Sequence, residues 1–384
     1  MKILYDHQIF TIQNFGGISR YFSQIVSNLP DHVSTDISIR YSNNEYLNKL
    51  NKISPLETFI DPLEKFAFGT TFRGKKKIFN FMEKKFPNKY QNYESKNKEI
   101  SIAYLKKQDF DIFHPTYYDD YFLEYIGNKP FVLTIHDMIH ELYPEMINDT
   151  LLSIRKTHLA KKAAHIIAIS ENTKKDIIDI LDVPEEKISI VYHASSLIEG
   201  KRTVNLPPNY FLYVGERKNY KNFFFFALSI EQILKNQKDI YVVCTGRPFD
   251  TNEIQFLTEL NIRDNFISVF VKDEEMFNVY NQAIAFVFPS YYEGFGIPIL
   301  EAFESSCPII LSDTSCFPEI AQDCALYFSP KNIKQLRQCL EKIIDDSSLK
   351  ASLINKGKIR FRDFSWPDAA NKTLDVYKRV LAGE

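Results

Sequence analysis

The sequence predicts an α/β protein made of two doubly wound parallel-sheet units that face each other across a cleft. Three observations carry this. Short apolar runs rich in β-formers alternate with helical patterns along nearly the whole chain, as strand–helix–strand units require. A polar segment ending in Pro207-Pro208 divides the chain near its middle. The run Ala283–Phe288, the turn at Gly294 and Gly296, and Pro298 read as strand, glycine loop and helix. That is the arrangement that places free N–H groups at the carboxyl edge of a sheet, where open α/β sheets bind ligands.

The first unit opens with the strand Lys2–Tyr5. Gly16-Gly17 then precedes a helical pattern from Tyr21 to Leu29. A double glycine there lets backbone approach a ligand, though such pairs also serve as plain turns. Residues 72–89 interleave lysines with Phe72, Ile78, Phe79, Phe81 and Phe86. This suits a helix lying on an anionic membrane surface, and equally a solvated helix with one apolar face against the domain. Asp111–Pro115 and Phe131–Ile135 are further strands; the first ends in His114 and the second delivers His136-Asp137. His136 and His140 are four apart, but they follow a strand in a loop and no cysteine is near, so a metal pair is not favoured. His136 reads as facing the cleft or as a packed, hydrogen-bonded residue. The stretch His165–Thr173 and the returning strand Pro184–Tyr192 complete the alternation, with Ser170 beginning the cap of the helix between them.

Residues 1–197 therefore form the first unit, 198–208 the linker, 209–362 the second unit, and 363–384 a last amphipathic helix. In the second unit the strand Tyr210–Val214 leads into Gly215, Arg217, Lys218 and Lys221. Arg217 and Lys221 can reach one anion from a loop at a strand end; a solvated basic turn is the plainer reading. Strands at Asp239–Gly246, ending in the glycine, and Phe266–Val271 follow, then the strand–glycine loop–helix and the strand Pro308–Ser312. Glu293 in the loop and Glu301 in the first helical turn can both face the crevice. A phosphate-attracting helix start with two acceptors for sugar hydroxyls suggests a nucleotide-sugar site. The alternative is that Glu301 only complements the helix dipole and Glu293 is solvated.

The 384 residues and 45% apolar content are enough for two cores. The net charge of −2 does not favour nucleic acid. Five cysteines, odd in number and without a C-x-x-C pair, fit a reducing compartment and no zinc ribbon. The N-terminal apolar run is too short for a signal sequence, and no stretch reaches membrane-span length. A cytoplasmic protein is expected.

The stretch Glu293-Gly-Phe-Gly-Ile-Pro-Ile-Leu-Glu301 resembles the E-x7-E signature of glycosyltransferase family 4, retaining enzymes of GT-B fold. The resemblance implies that Glu293 lies by the transferred sugar and Glu301 holds the ribose. It places Gly294, Phe295, Gly296 and Gly215 against the donor, Gly16 and Gly17 between donor and acceptor, and His136 with Asp137 near the sugar. Arg217 and Lys221 would meet the departing diphosphate, and the last helix would cross back to the first domain. No cofactor or metal is implied. The donor is a nucleotide diphosphate sugar, with GDP-mannose preferred over UDP-hexoses, and the acceptor is a glycan or a lipid-linked intermediate of bacterial surface polysaccharide. Residues 72–89 would then meet the inner face of the membrane. Rival readings are a non-catalytic GT-B glycan-binding or support protein, and a sugar-nucleotide epimerase or a phosphorylase.

Overall fold

The computed structural model describes residues 1–50, 70, 74–85, 93–147, 149–197, 199–200, 204–217 and 219–383. In the first half, β1 (Lys2–Tyr5) pairs in parallel with β2 (Ser34–Ile37) and β3 (Ile112–His114). β4 (Val132–Ile135), β5 (His165–Ala168) and β6 (Ile188–Ile190) form a second parallel set. A single bridge between Phe113 and Phe131 joins the two sets, giving the order β2-β1-β3-β4-β5-β6. In the second half, β7 (Tyr210–Tyr213), β8 (Tyr241–Thr245), β9 (Phe266–Val269), β10 (Ala285–Phe288), β11 (Ile309–Ser312) and β12 (Leu326–Phe328) form one parallel sheet in the order β12-β11-β10-β7-β8-β9.

The central strands are buried along their whole length, which is why they read as unbroken apolar runs. The edge strands β2 and β12 are only partly buried; β2, Ser-Thr-Asp-Ile, carries no such run, and β12, Leu-Tyr-Phe, is apolar but only three residues long. Sequence reasoning passed over both. The helix after the glycine pair spans Gly17–Asn28, one turn earlier than the apolar pattern suggested.

The last helix, Trp366–Ala382, packs on the helix Gly17–Asn28 of the first half. The Tyr377 hydroxyl is hydrogen-bonded to His114 Nδ1 at 2.6 Å and to the Tyr5 hydroxyl at 2.8 Å. Arg379 donates to Ser189 at 3.1 Å. His114 Nε2 in turn meets Thr134 Oγ1 at 2.9 Å, so this helix is tied to β1, β3 and β4 together.

Burial pushes His114 down to about 3 and His136 down to about 4, and it lowers His193 as well. All three are held neutral. Each takes up a proton on unfolding below the ordinary histidine value, so the unfolded state binds more protons there and stability falls as pH falls. The expected loss is about 1.4 kcal/mol per pH unit for each histidine, from about pH 6.5 downward. Urea unfolding between about pH 7.5 and about pH 5.5 measures it, and a flat profile would show that these rings are not buried neutral.

Of the basic, aromatic segment 72–89, residues 72, 73 and 86–89 lie outside the described residues, as do 198, 201–203 of the linker and Lys218. The helix Lys75–Lys85 is described, with Ile78 and Phe81 exposed beside exposed Lys76 and Lys77. No helix among the described residues is long and apolar enough to cross a membrane.

Candidate active site

The strand order of the second sheet reverses between β7 and β10, which lie side by side. Loops leaving adjacent strands on opposite sides of such a reversal open a crevice at the carboxyl edge. Lys221 follows β7 and Glu293 follows β10, so the topology brings them together although they are 72 residues apart. Asn222 adopts a left-handed conformation (φ 57°), which asparagine tolerates, and its side chain donates to the Pro330 carbonyl at 3.0 Å. That turn ends the short helical stretch Asn219–Lys221 and starts the helix Phe223–Asn236. Tyr291 N–H donates to Tyr220 O at 2.8 Å, which binds the two loops to each other.

Lys221 Nζ donates to Glu293 Oε1 at 2.6 Å, and Ser290 Oγ donates to the same oxygen at 2.8 Å. Glu293 N–H donates to Ser315 Oγ at 3.2 Å. Lys221 and Glu293 each keep about 15% of their side chains open, 16% and 15% respectively, so this is an ion pair at the wall of a cleft rather than in a core. Gly296 (φ 84°) turns the chain into the helix Ile297–Glu304, with Pro298 in its first turn.

The first half reaches into the same place. A Cβ on Gly294 would overlap the His136 carbonyl oxygen, so only glycine fits where the loop crosses to the end of β4. Gly294 O accepts from Ser170 Oγ at 2.7 Å and Thr173 Oγ1 at 3.2 Å. Gly17 faces Ile297 at the helix start, and a Cβ there would stand 3.6 Å from the isoleucine Cδ1. Gly16 caps the helix Gly17–Asn28 from an extended conformation, under the Gln13 side chain. Phe295 is buried against His193 and Phe364. Gly215 (φ 109°) and Gly246 (φ 106°) mark the ends of β7 and β8 beside each other.

His136 is buried among Tyr21, Phe22 and His193, and its Nε2 has no partner among the described residues. His140 turns to Asp137 instead, at 3.8 Å. Burial pushes the Asp137 carboxyl up, but Lys156, His140 and the Ile139 N–H outweigh it and hold the group below the usual carboxylate range. Lys156 is fully buried and donates to Asp137 O and Glu141 Oε2, each at 2.9 Å.

Two expectations change. Arg217 does not point into the crevice. Its side chain is wholly buried; Nε donates to Glu253 Oε1 at 3.0 Å and Nη2 to the carbonyls of Arg247 and Pro248 at 2.6 and 2.9 Å. A carboxylate and two carbonyls out-compete solvent for a guanidinium at that depth. Glu301 stands at the fifth helical position, past the first turn, so dipole complementation is not its main role. It is buried and bonded to Arg20, a residue the sequence did not single out. The signal was a cation on the apolar-patterned side of the helix after the glycine pair.

The profile described as "Glycosyltransferase Family 4" matches residues 64–195, and that described as "Glycosyl transferases group 1" matches residues 194–360. An O-antigen chain mannosyltransferase of Salmonella typhimurium is 30% identical over 222 residues, covering 55% of this chain and 60% of that one. O-antigen chain mannosyltransferase B of Escherichia coli is 26% identical over 265 residues, covering 64% of this chain and 70% of that one. The Anabaena protein HepE, solved with UDP and glucose, superposes with a TM-score of 0.72 at 15% identity, covering 98% and 99% of the two chains. The chain thus belongs to the family 4 glycosyltransferases of GT-B fold, and is related to bacterial O-antigen mannosyltransferases.

Proposed function

We propose that the chain is a retaining hexosyltransferase that moves mannose from GDP-mannose to a hydroxyl of a glycan or lipid-linked acceptor in surface polysaccharide synthesis. The observation that carries this is the Lys221–Glu293 pair at the sheet's reversal point, in a loop and helix start whose Gly294 abuts His136 and whose Ile297 abuts Gly17 of the other half. The mannosyltransferase relatives support mannose; HepE, solved with UDP, keeps UDP-hexoses as the second choice.

In this reading the bond between the anomeric carbon and the phosphate oxygen breaks, and its electron pair goes to the diphosphate. Lys221 and the helix start at Ile297 stabilise that charge; one such donor is worth about 2.7–4 kcal/mol in comparable sites. The acceptor oxygen bonds to the anomeric carbon on the same face, and its proton goes to the departing phosphate oxygen. Glu293 orients the sugar rather than attacking it, since Lys221 and Ser290 already hold its Oε1. His136, held neutral by burial, offers the sugar a hydrogen bond and not a charge. The reaction proceeds without an added divalent cation. The protein works in the cytoplasm, with the basic helix Lys75–Lys85 against the inner face of the membrane.

The test is a thermal-shift screen with GDP-, UDP- and ADP-sugars, because a ligand that binds only the folded state raises its stability. GDP-mannose is expected to raise the midpoint, Glu301→Ala to abolish the shift and Lys221→Ala to reduce it without abolishing it. A shift with a UDP-sugar alone would overturn the donor, and no shift with any of them would overturn the reading.

A further inference from the structure

Glu301 is not held by its own half of the molecule alone. Arg20, on the helix Gly17–Asn28 of the first half, donates from Nη1 to Glu301 Oε1 at 2.9 Å, across 281 residues of sequence. Tyr280 of the second half donates to Glu301 Oε2 at 3.0 Å. The Arg20 and Glu301 side chains are 10% and 11% exposed. Beside them, Tyr46 of the first half donates to Asp273 Oδ2 at 2.7 Å, and Arg20 Nη2 meets Ser196 Oγ at 3.5 Å.

We propose that Arg20 is a positioning residue for nucleoside binding: it fixes Glu301 as a two-oxygen acceptor for the vicinal hydroxyls of the donor's ribose, so the ribose site is assembled from both halves. This rests on the nucleotide-sugar reading of the cleft. Each Glu301 oxygen accepts one hydrogen bond from the protein and keeps a further acceptor position. Two acceptors on one carboxylate match two adjacent hydroxyls, provided the group stays ionised. A neutral carboxylic acid would offer a donor in place of one acceptor.

Its surroundings make that a real demand. Burial pushes the Glu301 carboxyl up, and Asp273 adds to this; Arg20 and the Tyr280 hydroxyl oppose it. Among the described residues, Tyr46 beside Asp273 and Cys307 beside Tyr280 also face this cluster. Arg20 is thus its cation, and it comes from the opposite wall. A buried ion pair is a poor strut, because the cost of desolvating two charges offsets their attraction. Simpler ties already join the halves, through Gly294 with Ser170 and Thr173 and through Tyr292 with Asp176. What the pair adds is an acceptor that is charged and aimed only when the first half is in place.

The experiment is calorimetric titration of the full chain with GDP and 2′,3′-dideoxy-GDP, or the uridine pair if that is what the parent binds. The parent is expected to prefer the ribose form by roughly 10–100-fold, the worth of hydrogen bonds to a charged group. Arg20→Met should cut that preference to about threefold or less, with Glu301→Gln doing the same and the double variant adding little. Raising the pH from about 6 to about 8 should restore part of the preference in Arg20→Met and leave the parent's unchanged, because only the variant's carboxyl has lost its cation. Arg20→Lys, which keeps the charge, should hold an intermediate preference and serves if Arg20→Met does not fold by circular dichroism. A folded Arg20 variant with the parent's full preference would overturn the proposal. If the parent binds neither nucleotide, the reading of the cleft falls and the proposal falls with it.

Discussion

Replacing Lys221 by alanine is expected to lower kcat on the order of 10²–10³-fold with the fold intact. The effect comes from differential binding. In the free protein Lys221 Nζ is taken up by Glu293 at 2.6 Å and lies 5.3 Å from the ring centres of Tyr220 and Phe288. As the glycosidic bond breaks, negative charge accumulates on the diphosphate, and an ammonium aimed at it binds that state more tightly than the ground state. Loss of kcat should therefore exceed loss of donor affinity. Glu293 keeps Ser290 as a partner at 2.8 Å and part of its surface in solvent, so the cost to stability should stay within about 1–3 kcal/mol. Single-turnover kinetics with saturating donor give the comparison. A rate within about threefold of the parent would remove Lys221 from the charge-stabilising role.

The parts of this fold that were legible in the sequence are those where local chemistry decides. Buried parallel strands must be apolar throughout, and β1, β4, β7, β10 and β11 were read within a residue or two for that reason. Gly296 and Pro298 announce a loop-to-helix junction, the first because few other residues take its left-handed angle and the second because a first-turn residue loses nothing by lacking an N–H. The edge strand β2 was missed because a half-solvated strand needs no apolar run, and β12 because three residues are too short a run to stand out.

The site divides along the same line. Glu293, Glu301 and Lys221 stand out by motif and by position at strand ends. Their partners do not, because those partners are chosen by topology. Arg217 looks like a loop cation until Glu253, 36 residues on, is folded beneath it. Arg20 looks like one charge on an amphipathic helix until the two halves close and put Glu301 within 2.9 Å. Sequence spacing carries no information about a contact made across the cleft.

Gly294→Ala is the sharpest test of that closure. The substitution adds one methyl group, and at a solvated loop position it would cost little. Here the new Cβ would overlap the carbonyl oxygen of His136, a backbone atom that no rotamer change can move aside. Relief requires either that the loop withdraw from Ser170 and Thr173, which hold Gly294 O, or that the end of β4 shift with His136 and Asp137. Both moves separate Glu293 from the residues of the first half, and a displacement of about 1 Å at a reacting centre costs on the order of 10² in rate. We expect kcat/KM to fall by at least that factor and the thermal midpoint to drop by several degrees, since a strained backbone contact costs roughly 1–3 kcal/mol. Gly74→Ala is the control for positive-φ strain alone: Gly74 has a φ of 92°, a strain Gly294 does not have, and nothing lies within 4 Å of its added Cβ among the described residues. It should lose stability by about 1 kcal/mol and keep the parent's rate. If Gly294→Ala kept both rate and midpoint, the two halves would not meet at His136 in the working protein, and the cleft would have to be rebuilt with the loop and β4 apart.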